Sequence, residues 1–160
     1  MLADAEKKHR LPLDLYKGVV SVAYTACTRN RAYVFANALH VERAARVLVE
    51  EAARWTCDLA VYLFMPDHVH LVLQGSREDS DTYRAMWSFK QKTGYLFSKA
   101  GLGIVWQKDF YDHILRTEND LSNHLRYILE NPVRKGLAGR WQDYPFKGST
   151  LVDLNQWVAD

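Results

Sequence analysis

Apolar residues recur along this chain with two different periods, and the switches between them mark out the elements. From Ala38 to Arg54, the residues Leu39, Val41, Ala45, Leu48, Val49 and Ala52 fall at helical spacing with charges opposite, which predicts an amphipathic helix. Before it, Gly18 to Cys27 alternates well enough for a first strand, and Arg29-Asn30-Arg31 makes a polar turn. Strands are predicted at 57–64 and 68–74, both rich in Leu, Val, Phe and Tyr, with Met65-Pro66-Asp67 punctuating the bend between them. Gly75 to Asp81 reads as a polar loop and Thr82 to Lys99 as a second helix. Val105 to Leu115 reads as a last strand or an irregular crossing segment. The stretch from Glu118 to Asn131 reads as a third helix. Asn119 or Asp120 can cap its start, Leu121, Leu125, Ile128 and Leu129 give apolar spacing, and Pro132 disfavours helical geometry at Asn131. A β-α-β-β-α-β order implies an α+β fold, the ferredoxin-like split βαβ plan, with an antiparallel sheet and helices on one face. No repeat, low-complexity tract or linker interrupts it, so residues 1–160 read as a single domain.

The strand pattern gives two histidines a shared direction. His68 and His70 lie two apart in an apolar run, so both project to one face of the sheet while Val69 points into a core. Two imidazoles on one face make a pair of ligands for one divalent metal, and the remaining ligands must come from elsewhere in the chain, from water or from substrate. Taken alone, such a pair is more often structural. The third helix changes that balance. Tyr127 and Asn131 are four apart on one helix face, with His124 three residues before Tyr127 on roughly the same face, so a hydroxyl and an amide oxygen can be presented together toward the histidine pair.

At these segments the sequence resembles the Y1-type HUH transposases, the IS200/IS605-like group, and looks closest to the branch called REP-associated tyrosine transposases. The matching pieces are Met65-Pro-Asp-His-Val-His-Leu-Val-Leu73 and Tyr127-Ile-Leu-Glu-Asn-Pro-Val-Arg-Lys-Gly-Leu137. Softer matches are Trp106 to Arg116 between them and Asp143 to Ser149 after them, so the resemblance covers roughly residues 16 to 150. Lys135 departs from the branch, which commonly carries a small residue there. The resemblance implies a single HUH nuclease domain that cleaves and rejoins single-stranded DNA, with hairpin-containing DNA as partner. It implies Tyr127 as nucleophile, forming a 5′-phosphotyrosine link, and His68 and His70 as metal ligands and catalytic groups. The implied cofactor is Mg²⁺ or Mn²⁺; because imidazole is a poor partner for Mg²⁺, Mn²⁺ should also support activity. Asn131 is the first choice for a third protein ligand, with Glu130 and His113 as rivals that spacing leaves open. No general base is evident. A monomer and a homodimer fit equally.

Composition narrows the alternatives. Net charge is only +2, but residues 1–83 carry ten Lys and Arg against eleven Asp and Glu, whereas residues 84–147 carry eleven against six. The positive excess thus falls in the segment holding the tyrosine helix, as a footprint for phosphate should. Trp87, Phe89, Tyr95, Phe97, Trp106, Phe110 and Tyr111 interleave with Lys90, Lys92, Lys99 and Lys108, so base stacking and core packing are equal expectations for any one of them. No stretch is apolar enough to span a membrane, and the charged N-terminus does not read as a signal peptide. Cys27 and Cys57 lack metal or redox spacing and read as reduced thiols, which points to a cytoplasmic protein, associated with the nucleoid when bound to DNA. Two-histidine phosphodiesterases need two separate motifs, and metal-dependent amidohydrolases need a barrel larger than this chain can build. The competing function is a non-catalytic, domesticated module that binds single-stranded nucleic acid.

Overall fold

The structure, a computed structural model, describes residues 11–156. The expectation about the charged N-terminus falls mainly on residues 1–10, which lie outside the described residues. Five strands form one antiparallel sheet: β1 (Ser21–Cys27), β2 (Cys57–Met65), β3 (His68–Gly75), β4 (Tyr111–Leu115) and the two-residue β5 (Lys147–Gly148), in the order β4-β1-β3-β2-β5. The first four strands therefore have the split βαβ order that the sequence predicts, and β5 is an addition at the edge. Helices α1 (Ala38–Arg54) and α2 (Thr82–Lys99) are the two crossovers. Helix α3 (Glu118–Leu129) follows β4, and a further turn, α4 (Asn131–Arg134), follows α3.

Side-chain parity divides the apolar residues into two layers. Val22, Tyr24, Ala26, Val69, Leu71 and Leu73 face α1 and α2, where they meet Leu48, Met86 and Phe89. The alternate residues Ala23 and Val72 face the other way, joining Leu63, Leu115, Ile128, Leu129, Trp141 and Tyr144. The two long helices thus share one face, as expected. The tyrosine helix α3 and the segment after it cover part of the opposite face. A fully buried Val or Leu contributes about 1.5–3 kcal/mol, so both layers hold the sheet from its two sides. Where β2 slips register between Leu59 and Val61, consecutive residues Ala60 and Val61 both join the second layer.

The cap of α3 and the start of β4 differ from the sequence reading, each for a local reason. Helix α3 is capped by Thr117, whose hydroxyl accepts from the Asp120 N–H at 3.0 Å while the Asp120 carboxylate accepts from the Thr117 N–H at 3.2 Å. This capping box moves the cap two or three residues ahead of Asn119 and Asp120. The segment from Val105 to Phe110 is irregular, and β4 begins only at Tyr111. Trp106 pulls that segment inward: it packs 5.4 Å from Phe35 and 5.7 Å from Phe89, and its indole N–H donates to Thr93 Oγ1 at 2.8 Å. Phe35 also packs on Phe64 at 4.9 Å, which ties residues 28–35 to the sheet end that carries the histidines.

Candidate metal and nucleophile centre

His68 and His70 open β3 on the face that α3 covers, sharing parity with Val72. Their Nε2 atoms lie 3.2 Å apart with the rings nearly perpendicular, at 86°. Each Nδ1 already has a partner. His68 Nδ1 donates to the Asp67 carboxylate at 2.7 Å, and His70 Nδ1 bonds the Thr25 hydroxyl at 2.9 Å from the neighbouring strand. Thr25 is the direct cross-strand partner of His70, so strand register itself delivers that contact. With Nδ1 of His68 protonated toward a carboxylate, its Nε2 carries a bare lone pair. Two nitrogens this close must share a proton or a cation.

Burial keeps the pair neutral. Burial, reinforced by the charges of His68, His124, Arg134 and Arg31, pushes the His70 imidazole down to about 3. Burial also lowers His68, and it outweighs the opposing pull of Asp67. For Asp67, burial acts upward, but hydrogen bonds from His68 and Arg31 prevail and hold its carboxyl below the ordinary range.

The third helix reaches the same place. Asn131 is buried, and its side-chain amide lies 3.3 Å from His68 Nε2. A half-turn of that amide presents Oδ1 instead of Nδ2 to the shared space. Pro132 does not turn the chain away from it. The proline occupies the first turn of α4, where a missing N–H is tolerated, so the helical path continues past Leu129 with Asn131 still on the face of Tyr127. The Tyr127 ring lies 6.5 Å from the His70 ring, and Tyr127 is 55% exposed. Arg134 holds it from the following turn: the guanidinium carbon is 4.2 Å from the Tyr127 ring centre, and Nη2 donates to the Tyr127 carbonyl at 2.7 Å. His124 approaches the same ring from the preceding turn at 6.0 Å.

The structure therefore brings His68, His70, Asn131 and Tyr127 together. It does not bring the two rivals there. His113, on β4, stacks on His124 at 6.2 Å, and Glu130 caps the end of α3. Among the described residues no group of three or more His, Cys, Asp or Glu could hold a metal, and the Asn131 amide is the side chain of the third helical segment that lies against His68 Nε2. Sequence reasoning passed over Thr25, Arg31, Asp67 and Arg134. For Asp67 a signal existed, a carboxylate adjoining the first histidine. Thr25, Arg31 and Arg134 become legible only from strand register and helix phase.

The aromatic and basic residues of the second half sort into two groups. Phe89, Phe97, Trp106 and Phe110 are core, whereas Trp87 and Tyr95 are 51% and 67% exposed on α2. Lys90 is committed to the Gln107 and Asp109 carbonyls at 2.7 and 3.0 Å, and Lys92 pairs with Glu51. Cys27 and Cys57 are buried free thiols, as expected. Among the described residues no helix is long and apolar enough to cross a membrane.

Comparison with known proteins shows the family and the fold. Residues 19–131 match the family model described as transposase IS200 like. A REP-associated tyrosine transposase of Escherichia coli K12 is 30% identical across 56% of this chain and 52% of its own length. A Haemophilus influenzae Rd protein, provisionally placed in the same group, is 31% identical across 51% of this chain and 53% of its own. The chain thus spans about half the length of these curated relatives. The solved structure of a REP-associated tyrosine transposase bound to a REP hairpin superposes with a TM-score of 0.72 at 22% identity, covering 82% of this chain and 78% of the other, a likeness of fold.

Proposed function

The chain belongs to the IS200-like transposase family, and we propose that it is a metal-dependent single-stranded DNA endonuclease and strand transferase whose nucleophile is Tyr127. The observation that supports this most is the convergence of His68 Nε2, His70 Nε2 and the Asn131 amide beside an exposed tyrosine. The described residues then act as one nuclease domain.

The donor set fits a divalent cation: two neutral imidazoles with their Nδ1 atoms engaged, and one amide oxygen available by rotation. With so few protein donors and no carboxylate among them, binding is weak and favours Mn²⁺ over Mg²⁺. Such a cation supplies charge neutralisation at a non-bridging oxygen of the scissile phosphodiester.

The residues of the chain do the rest. Tyr127 Oη attacks phosphorus and forms a new P–O bond as the bond to the 3′ oxygen breaks. The phenolic proton is lost, the departing 3′ oxygen gains one, and the 5′ phosphate stays on the tyrosine. That link conserves the energy of the broken bond, so a 3′ hydroxyl can reverse the step and join strands without ATP. Arg134 limits the rotation of the Tyr127 ring, which reduces the entropy lost in reaching an in-line geometry. A single strand, or the unpaired flank of a hairpin, can present its phosphate to Tyr127, and by analogy with the REP hairpin bound to the structural relative, hairpin DNA is the partner.

Incubating the protein with Mn²⁺ and a labelled library of single-stranded and hairpin oligonucleotides tests this reading. A protein–DNA adduct that survives denaturation is expected. A protein that binds these oligonucleotides yet forms no adduct with any of them is a binding module instead.

A further inference from the structure

The turn after β1 holds a backbone conformation that its sequence does not favour. Asn30 and Arg31 have φ of 57° and 54°, two consecutive non-glycine residues in the left-handed region. Asparagine adopts this region with little cost, but a long side chain such as arginine does so rarely, and such residues persist where their surroundings over-determine them. Here the surroundings are the turn that carries the first histidine. The Thr28 N–H donates to the Asp67 carbonyl at 2.9 Å, the Thr28 hydroxyl lies between the Ala32 and Asp67 carbonyls at 2.7 and 3.0 Å, and the Phe35 N–H donates to the Pro66 carbonyl at 3.0 Å. The two turns are thus bolted together by backbone contacts on either side of Arg31.

From that strained position the Arg31 side chain reaches back to the same turn. Its Nε donates to Asp67 Oδ2 at 2.8 Å, and Nη1 donates to the Cys27 sulfur at 2.9 Å. The other Asp67 oxygen, Oδ1, accepts from His68 Nδ1 at 2.7 Å. One carboxylate therefore joins the arginine to the histidine, each oxygen taken by one partner. With Oδ2 tied down by an arginine, Asp67 cannot rotate away from His68, and His68 keeps its proton on Nδ1 and its lone pair on Nε2.

We propose that Arg31 is a positioning residue for the metal centre, acting through Asp67 to fix the tautomer and direction of His68. The proposal rests on the metal-centre reading above. It differs from a stability role, because half of the Arg31 side chain is exposed and an exposed ion pair adds little to folding.

Arg31→Gly is the informative variant. Glycine accepts the positive φ without strain, so the turn survives while the guanidinium is lost. The first measurement is nitrogen-15 NMR of the histidine side chains in the metal-free protein. Wild type is expected to show His68 as a single Nδ1–H tautomer, and Arg31→Gly to show His68 exchanging between tautomers, with a thermal midpoint no lower than wild type. The second is a Mn²⁺ titration of Arg31→Gly, Asp67→Asn and the double variant. Each single change is expected to weaken Mn²⁺ binding by about 10- to 100-fold, the range for residues that orient a ligand. The double variant should be no weaker than Asp67→Asn alone, because both act along one path. An unchanged His68 tautomer in Arg31→Gly, or losses that multiply in the double variant, would overturn the proposal. If wild type binds no Mn²⁺, the metal-centre reading fails, while the tautomer measurement still decides whether Arg31 positions His68.

Discussion

The Nε2 atoms of His68 and His70 approach to 3.2 Å, each on a ring whose Nδ1 is held by a different partner, Asp67 for one and Thr25 for the other. Two ring nitrogens at this distance are reconciled by a shared proton or a shared cation. One equivalent of Mn²⁺ is therefore expected to bind, detectable by electron paramagnetic resonance. His70→Ala should weaken that binding, since His68 and Asn131 remain. His68→Ala should weaken it, with partial rescue by excess Mn²⁺ because His70 and Asn131 remain. Binding to both variants at wild-type strength would place the ion elsewhere.

Arg134 makes a different kind of prediction. Its guanidinium lies over the Tyr127 ring at 4.2 Å and bonds the Tyr127 backbone, so its loss frees the ring without removing the nucleophile. Arg134→Ala should slow covalent adduct formation by about 10- to 100-fold, the scale on which misplacement of a reacting group is felt. Folding should be preserved, since the residue is on the surface. Single-turnover rates at saturating DNA separate this from weakened binding. A rate unchanged within twofold contradicts it.

His70 links stability to acid. Its imidazole is pushed down to about 3 in the folded protein, first by burial and then by the neighbouring charges, against an ordinary value of 6.5. A depressed value means that the neutral form is favoured by folding. The associated stability is present above pH 6.5 and is lost progressively as pH falls toward 3. In metal-free buffer, the difference in unfolding free energy between wild type and His70→Gln should therefore shrink from pH 7.5 to pH 4.5 in urea titrations. A difference that stays constant over that range removes His70 from the acid response.

Much of this was legible in the sequence because it depends on parity and period. The alternation of His68, Val69 and His70 put both imidazoles on one face, and the spacing of Tyr127 and Asn131 put both on one helix face; the sheet keeps the first relation, and α3 with the turn α4 after it keeps the second. What remained hidden depends on contacts between distant segments. Thr25 meets His70 through register between β1 and β3, and Arg31 meets Asp67 through a left-handed turn that no pattern in Arg29-Asn30-Arg31 announces. Nor does periodicity separate Trp87 from Phe89 or Lys90 from Lys108. One aromatic faces solvent and the other the core, and Lys90 is occupied by backbone carbonyls.

DNA affinity should favour single strands and hairpins over perfect duplex, since an exposed tyrosine can meet a phosphate only on a strand that bends to it. It should also fall steeply with salt, as Lys and Arg contacts release counterions. Fluorescence anisotropy across a salt series measures both. Equal affinity for duplex and single strand with a flat salt response counts against a nuclease that works on unpaired DNA.

The central claim is that Tyr127 carries the DNA. The decisive measurement is mass-spectrometric mapping of the nucleotide-modified residue after reaction with single-stranded DNA and Mn²⁺ and proteolysis of the denatured adduct. The account predicts a nucleotide on Tyr127 in wild type, and no adduct from a folded Tyr127→Phe protein that still binds DNA. A nucleotide on Tyr111 or Tyr144, or an adduct formed at the wild-type rate by Tyr127→Phe, contradicts it.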